Sequence, residues 1–224
     1  MRLEIFSDLV CPWCFIGKRQ LDSVLNSPQG QDLDVVWRAY QLYPNIPQGG
    51  MVRDEFMKVR FAGSDTSIAR ERILGEARAA GIDMDFSRAE RMPNTFDGHR
   101  LLHHALMQER QNAELAGLQH RLAETLFSFY FCEGRDVGSR EVLLAAAEQV
   151  GLDGSATRAF LESDAGRVEV EHELDRAAAV GVSGVPCFLF AGAFALQGAQ
   201  SPEVIGHFLS RARQRLAPDA TGDG

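Results

Sequence analysis

The pair Cys11-Pro12-Trp13-Cys14, set between a strand-like and a helix-like segment, constrains this chain more than any other feature. Upstream, Arg2 to Ser7 alternates Leu3, Ile5 and Ser7 against Glu4 and Phe6, the period of a strand. Downstream, Ile16, Leu21, Val24 and Leu25 recur at helical spacing in a run that ends near Asn26-Ser27-Pro28-Gln29-Gly30. Two cysteines with two residues between them close a disulfide only if their β-carbons come within about 4 Å, which the first turn of a helix provides. The two sulfurs then differ. Cys11, at the helix N-terminus, faces unpaired backbone N–H groups and the positive end of the helix dipole, which favour a thiolate. Cys14, one turn further in, is expected to be more buried, protonated and placed to attack a mixed disulfide formed at Cys11. Pro12 suits the first helical position, and Trp13 offers an apolar face to a substrate. The same spacing is also half of a four-ligand zinc site, but that needs two more Cys or His at comparable spacing, and Cys132 and Cys187 stand alone. No metal is therefore expected.

The surroundings favour chemistry over stapling. A chain of 224 residues buries enough core to need no disulfide framework, and four cysteines are few for that length. A net charge of −8 repels phosphate backbones, so no nucleic-acid partner is expected. No apolar run reaches the ~18 to 20 residues of a membrane-spanning helix. The first eight residues, with acidic side chains and strand-like alternation, lack the apolar core of a secretory signal, and the expectation is a cytoplasmic protein.

Leu33 to Tyr40 is rich in branched and aromatic residues and reads as a second strand, followed by a turn-rich stretch from Tyr43 to Gly50. Strand, helix, strand implies a right-handed parallel crossover. From about Val52 to Ala179 no convincing strand is visible. Helical segments fall near 52–61, 65–80, 87–91, 95–111, 113–132, 139–149, 155–163 and 164–179, punctuated by Gly81, Pro93, Gly134 and Gly151. Strand character returns at 187–190 and 193–196, and Ser201-Pro202 opens a last helix to Leu216. The division is thus 1–50 with 180–216 as one discontinuous α/β domain, 51–179 as an inserted helical domain whose last helix packs on that core, and 217–224 as a flexible tail.

A second informative stretch, Gly181-Val182-Ser183-Gly184-Val185-Pro186, feeds a glycine-rich loop into a proline at the start of a strand. Together with Asp8 to Lys18, Pro93-Asn94-Thr95 followed by His99, Phe129 to Phe131 before Glu133-Gly134-Arg135-Asp136, and Gly198-Ala199-Gln200, it resembles the thioredoxin superfamily, within it the DsbA family and particularly its FrnE-like branch. The resemblance spans nearly the whole chain. It implies a thioredoxin-like α/β fold with a large all-helical insertion, and a thiol-disulfide oxidoreductase or isomerase with Cys11 as nucleophile and Cys14 as resolving thiol. It further implies a cis Val185-Pro186 bond against the cysteines, with the Val185 backbone free to pair an extended substrate. The insertion becomes a lid that brings Asn94, Thr95 and His99 toward the dithiol. For His99, thiolate stabilisation or proton carriage competes with an inert place on a helix surface. His99 and His103 also have the i, i+4 spacing of a metal pair, without the accompanying Glu of a zinc-protease helix.

Cys132 and Cys187 depart from the family pattern. Each reads first as a small buried hydrophobe. Cys187, directly after Pro186, is the candidate secondary redox group, within reach of the dithiol or of Cys132. Glutathione-using hydroxychromene-carboxylate isomerases and kappa-class transferases resemble the chain in their helical insertion, but carry serine where Cys11 stands. A glutathione-dependent isomerase or transferase, and a redox-independent chaperone-like module, are the competing functions. No bound cofactor is expected, although glutathione can act as co-substrate. The expected partners are a thiol- or disulfide-containing protein or small molecule and a cellular thiol reductant or oxidant.

Overall fold

The computed structural model describes residues 1–62 and 64–217. The expected tail falls almost wholly on 218–224, outside the described residues. The chain begins with strand β1 (Arg2–Ser7), helix α1 (Pro12–Leu25) and strand β2 (Asp34–Ala39). β1 and β2 pair in parallel, Leu3 opposite Val35 and Ile5 opposite Trp37, which makes α1 the crossover. The chain returns to this sheet only at β5 (Cys187–Phe190) and β6 (Phe194–Gln197), both antiparallel, in the order β2-β1-β5-β6. Helix α9 (Pro202–Leu216) closes the fold, capped by the Ser201 hydroxyl accepting from Val204 N–H.

Strand alternation sorts the side chains onto two faces. Leu3, Ile5, Phe188 and Phe190 point into the main core beneath α1 and α9. Phe6, Cys187 and Leu189 point the other way, onto Ala177 of helix α8 (Arg167–Ala179). β1 is therefore covered on both faces, and all its residues after Arg2 are buried.

Between β2 and β5 lie α2 (Arg53–Phe61), α3 (Ser67–Ala79), α4 (Phe96–Gln111), a 3-10 turn at Ala113–Leu115, α5 (Leu118–Phe131), α6 (Arg140–Gln149), α7 (Gly154–Glu162) and α8. The fold is the thioredoxin-like one with a helical insertion, and three local expectations need correcting. The insertion also holds a two-residue antiparallel ladder, β3 (Met51–Val52) with β4 (Arg91–Met92), too short to show any alternation in sequence. The segment 87–91 is a turn leading into β4, not a helix. The helix expected over 113–132 is broken at Gly117, whose φ of +73° is left-handed and ends the 3-10 turn before α5 begins.

The insertion shares the core of the sheet. Phe15 of α1 stacks on Phe127 and Phe131 of α5, with ring centroids 5.4 and 6.2 Å apart, and Phe127 also meets the edge of Trp37 in β2. The insertion also seals the free edge of β2. Trp37 N–H donates to Gln119 Oε1 at 2.9 Å, Gln119 Nε2 donates back to the Trp37 carbonyl at 3.0 Å, and Ala39 N–H donates to Glu173 Oε2 at 2.9 Å. Side chains of α5 and α8 thus stand in for a missing neighbour strand. Among the described residues no helix is long and apolar enough to cross a membrane.

Candidate active site

Cys11 is the N-cap residue of α1, in extended conformation (φ −92°, ψ 111°), and Pro12 opens the helix. A tight turn precedes it, Cys11 N–H donating to the Asp8 carbonyl at 3.0 Å, and the first helical turn follows, Cys14 N–H donating to the Cys11 carbonyl at 3.0 Å. Cys11 retains 4% of its exposure whereas Cys14 retains none. Burial pushes the Cys14 thiol well above its ordinary range, and the adjacent Cys11 pushes the same way. The Ser7 hydroxyl and the Asp8 N–H favour the thiolate without prevailing. The two sulfurs occupy unequal environments, as the strand-to-helix junction predicts.

The loop from the far end of the chain meets this turn. Val185-Pro186 is a cis peptide, and Cys11 Sγ donates to the Val185 carbonyl at 3.5 Å. The Pro186 carbonyl accepts from Gly198 N–H at 2.8 Å, which ties the loop to the end of β6. The loop comes this close because residue 17 is glycine. A Cβ there would lie 3.1 Å from Pro186 Cγ and 3.3 Å from Phe188 Cζ.

The lid residues reach this region in a different way from that expected. His99, on α4, is buried rather than on a helix surface. Its Nε2 lies 3.0 Å from the Tyr40 carbonyl and 3.6 Å from Asp8 Oδ1. The Tyr40 carbonyl, which can only accept, assigns a proton to Nε2. Asp8, 1% exposed, accepts the Leu42 N–H through Oδ2 at 2.7 Å. A buried Asp8–His99 pair therefore backs the turn carrying Cys11, and sequence reading assigned no role to Asp8, Ser7 or Gly17. An acidic residue between the first strand and the cysteines was the available signal for Asp8. Asn94 and Thr95 hold the segment after β2 rather than the cysteines: Asn94 Nδ2 donates to the Ile46 carbonyl at 2.6 Å, and Gln41 Nε2 donates to Thr95 Oγ1 at 3.4 Å. His103 faces Glu173 at 3.9 Å, so the two histidines have separate partners, and no metal-binding cluster occurs among the described residues.

Cys187 and Cys132 are not brought to the dithiol. Cys187 follows Pro186 in the chain, but strand alternation turns its side chain to the opposite sheet face, among Phe6, Ala177, Val182 and Leu189. Cys132 ends α5, half-buried against the main core, so it does not meet Cys187 either. Burial raises both thiols above their ordinary value.

Beside the dithiol, a cleft of about 230 Å³ opens between the turn of Val10 and Pro12 and helices α2 and α3. Phe56, Ile73, Phe86 and Tyr130 line it, with Arg53 and Arg70 among them. Trp13 packs below the Arg72 guanidinium of α3, 5.6 Å from its ring centroid.

The profile of the family described as the DSBA-like thioredoxin domain matches residues 2–210. The uncharacterized protein YwbO of Bacillus subtilis (strain 168) is 25% identical over 223 residues, covering 96% of this chain and 98% of its own length. The crystal structure of a probable DsbA oxidoreductase from Streptomyces coelicolor superposes with a TM-score of 0.84 at 30% identity, covering 100% of this chain and 94% of that one. A putative protein disulfide isomerase from Nitrosomonas europaea shares the fold, with a TM-score of 0.74 at 14% identity, covering 96% of this chain and 98% of that one.

Proposed function

The chain belongs to the DSBA-like thioredoxin domain family, and on that premise we propose that it is a thiol-disulfide oxidoreductase of the FrnE-like branch, exchanging disulfides through Cys11 and Cys14. The observation that carries this reading is the asymmetry of the pair. Cys11 caps a helix N-terminus between two residues that line a cleft and keeps 4% exposure, whereas Cys14 is fully buried one turn behind it. The Cys11 thiolate attacks a substrate disulfide and releases one substrate thiol, leaving a mixed disulfide. Cys14 then gives up its proton and attacks the Cys11 sulfur, releasing the second thiol. Two electrons pass from the dithiol to the substrate. The reverse sequence oxidises a substrate dithiol.

The other residues take the following parts in this scheme, in which Asn94, Thr95 and His99 are no longer substrate contacts and Cys132 and Cys187 no longer redox groups. Pro12 and Trp13 present an apolar shoulder to the substrate, and Val185 offers backbone groups outside the strand ladder, which begins at Cys187. Asn94, Thr95 and His99 act behind the site as positioning residues, through the segment after β2 and through Asp8. Cys132 and Cys187 are packing residues. A cellular thiol such as glutathione restores the reduced pair, with no resident cofactor. The site of action is the cytoplasm, in keeping with a fold held by one large apolar core rather than by disulfide staples.

The test is paired. Cys11→Ser is expected to lose turnover in a glutathione-coupled disulfide reduction, while Cys14→Ser still attacks and accumulates a mixed disulfide seen as an added mass. Full turnover in Cys11→Ser refutes the mechanism. Glutathione-dependent turnover without either cysteine selects the isomerase or transferase class. Client holding that is indifferent to both substitutions selects the chaperone-like module.

A further inference from the structure

The cleft beside Pro12 carries more information than an apolar groove would. Its floor and walls are aromatic and aliphatic, from Phe56, Ile73, Phe86 and Tyr130. Two guanidinium groups are set into the same wall, both over the ring of Phe86: Arg53 with Cζ 5.6 Å from the centroid and Arg70 at 5.8 Å. Of the arginines nearby, Arg88 pairs with Asp85 at 3.2 Å and Arg91 with Asp136 at 3.2 Å, whereas Arg72 lies over the Trp13 ring. Among the described residues neither Arg53 nor Arg70 makes an ion pair. Asp85, next to Phe86 in the chain, is engaged by Ser87 N–H at 2.9 Å, by the Ser87 hydroxyl at 2.6 Å and by Arg88, and Arg70 acts on it only from beyond ion-pair distance. A chain of net charge −8 has thus left two cations with no carboxylate in direct contact in one small aromatic cleft, whose lining includes both chain neighbours of Cys11.

We propose that this cleft selects, as substrate of the dithiol, a low-molecular-weight disulfide whose half is flat, apolar and anionic, its ring lying on Phe86 and its charge meeting Arg53 and Arg70. The inference rests on the oxidoreductase reading above and names the substrate class of that same site. Size and charge together argue for it. A cavity near 230 Å³ lies below the ~300 to 1,000 Å³ of drug-sized ligand pockets, room for about one ring with a substituent. An aromatic side chain of an unfolded protein fills the apolar part but brings no anion to the guanidiniums, so a peptide client uses only half of the site. Val10 and Pro12 form one wall, so the cleft adjoins the turn that carries Cys11, and a ring seated there has to reach the nucleophile with its sulfur. The exchange balances in the usual way. The Cys11 sulfur bonds to one aryl sulfur as the other leaves as aryl thiolate. Cys14 loses a proton and bonds to Cys11, expelling the second aryl thiolate, and the dithiol is oxidised by two electrons as the disulfide becomes two thiols.

The test uses the reduced full-length protein in single turnover with two aromatic disulfides, the anionic 5,5′-dithiobis(2-nitrobenzoate) and the neutral 4,4′-dithiodipyridine, following the released thiol by absorbance in dilute buffer and in strong salt. Rates are normalised to those of a free small thiol. The expected result is that Arg53→Met with Arg70→Met lowers the anionic-to-neutral rate ratio about tenfold, the size of one lost charge-assisted hydrogen bond. This loss persists in salt, and Arg53→Lys with Arg70→Lys restores part of the ratio. An unchanged ratio, an equal fall for both probes, or a loss that vanishes in salt, the mark of long-range steering alone, overturns the proposal while leaving the oxidoreductase reading in place. Failure of the wild type to react with either probe at Cys11 overturns both.

Discussion

At the scale of single residues, the site depends on what is absent as much as on its sulfurs. Gly17 has no side chain, and Pro186 fills the space where one would stand. Gly17→Val would gain in backbone entropy over glycine but force two methyl groups toward Pro186 and Phe188. Overpacking of that kind costs about 1–3 kcal/mol, more than the few tenths of a kcal/mol, roughly, that replacing a helical glycine by valine gains. We expect a lower denaturant midpoint together with slower exchange, because the displaced loop carries the Val185 carbonyl away from Cys11. A variant with unchanged midpoint and rate would show that the loop is not held by this contact. The dithiol and Pro186 were legible in sequence because each is a motif. Asp8, Ser7 and Gly17 were not, because their roles exist only between residues far apart in the chain: Asp8 meets His99 and Leu42, and Gly17 meets Pro186. The misplacement of Cys187 has the opposite origin. Adjacency to Pro186 suggested proximity to the dithiol, but the two-residue period of a strand sends neighbours to opposite faces.

At the scale of elements, the strand most exposed to trouble is β2, an edge strand whose backbone is sealed by side chains. Gln119 satisfies both backbone polar groups of Trp37 and is itself buried. In Gln119→Leu the shape is roughly kept but a backbone N–H and C=O lose their partners, at about 1–3 kcal/mol for each buried group left unsatisfied. The expected outcomes are a lower urea midpoint and faster amide exchange at Trp37 than in the wild type. Wild-type protection of that amide would mean that water replaces the glutamine without cost. Most helices were readable from apolar periodicity because each has a buried side, and the strands of the main sheet from their alternation or their runs of branched and aromatic residues, although β1 and β5 are buried on both faces. β3 and β4, at two residues each, are defined only by each other, and Gly117 splits a helical stretch through backbone conformation that hydropathy does not register.

At the scale of the whole molecule, one ionic network joins the sheet to the insertion. Glu4 of β1 accepts from Arg38 of β2 at 2.8 Å and also from Arg176 of α8, and Arg38 donates to Glu173 of α8 at 2.7 Å. Burial works against both carboxylates. The arginines, with His103 and Ala39 N–H at Glu173, outweigh it and hold both carboxyls below the ordinary value of 4.5. Carboxyls lowered by folding contribute stability in full above about 4.5, and that contribution is lost as the pH falls through their lower native values. The urea midpoint is therefore expected to decline below pH 4.5, with a shallower acid limb in Glu4→Gln/Glu173→Gln. Identical slopes in the two proteins would dismiss the network as the cause. The shared core further predicts that sheet and insertion unfold in one transition. The contact between Cys11 and Val185 spans 174 residues of chain. During synthesis at roughly 5–20 residues per second, Cys11 and Cys14 emerge about 10–35 s before the loop that covers them. For that interval the newborn chain carries a naked dithiol with no platform beside it, so the ribosome-bound protein depends on its surroundings to keep those sulfurs reduced until its own last strands arrive.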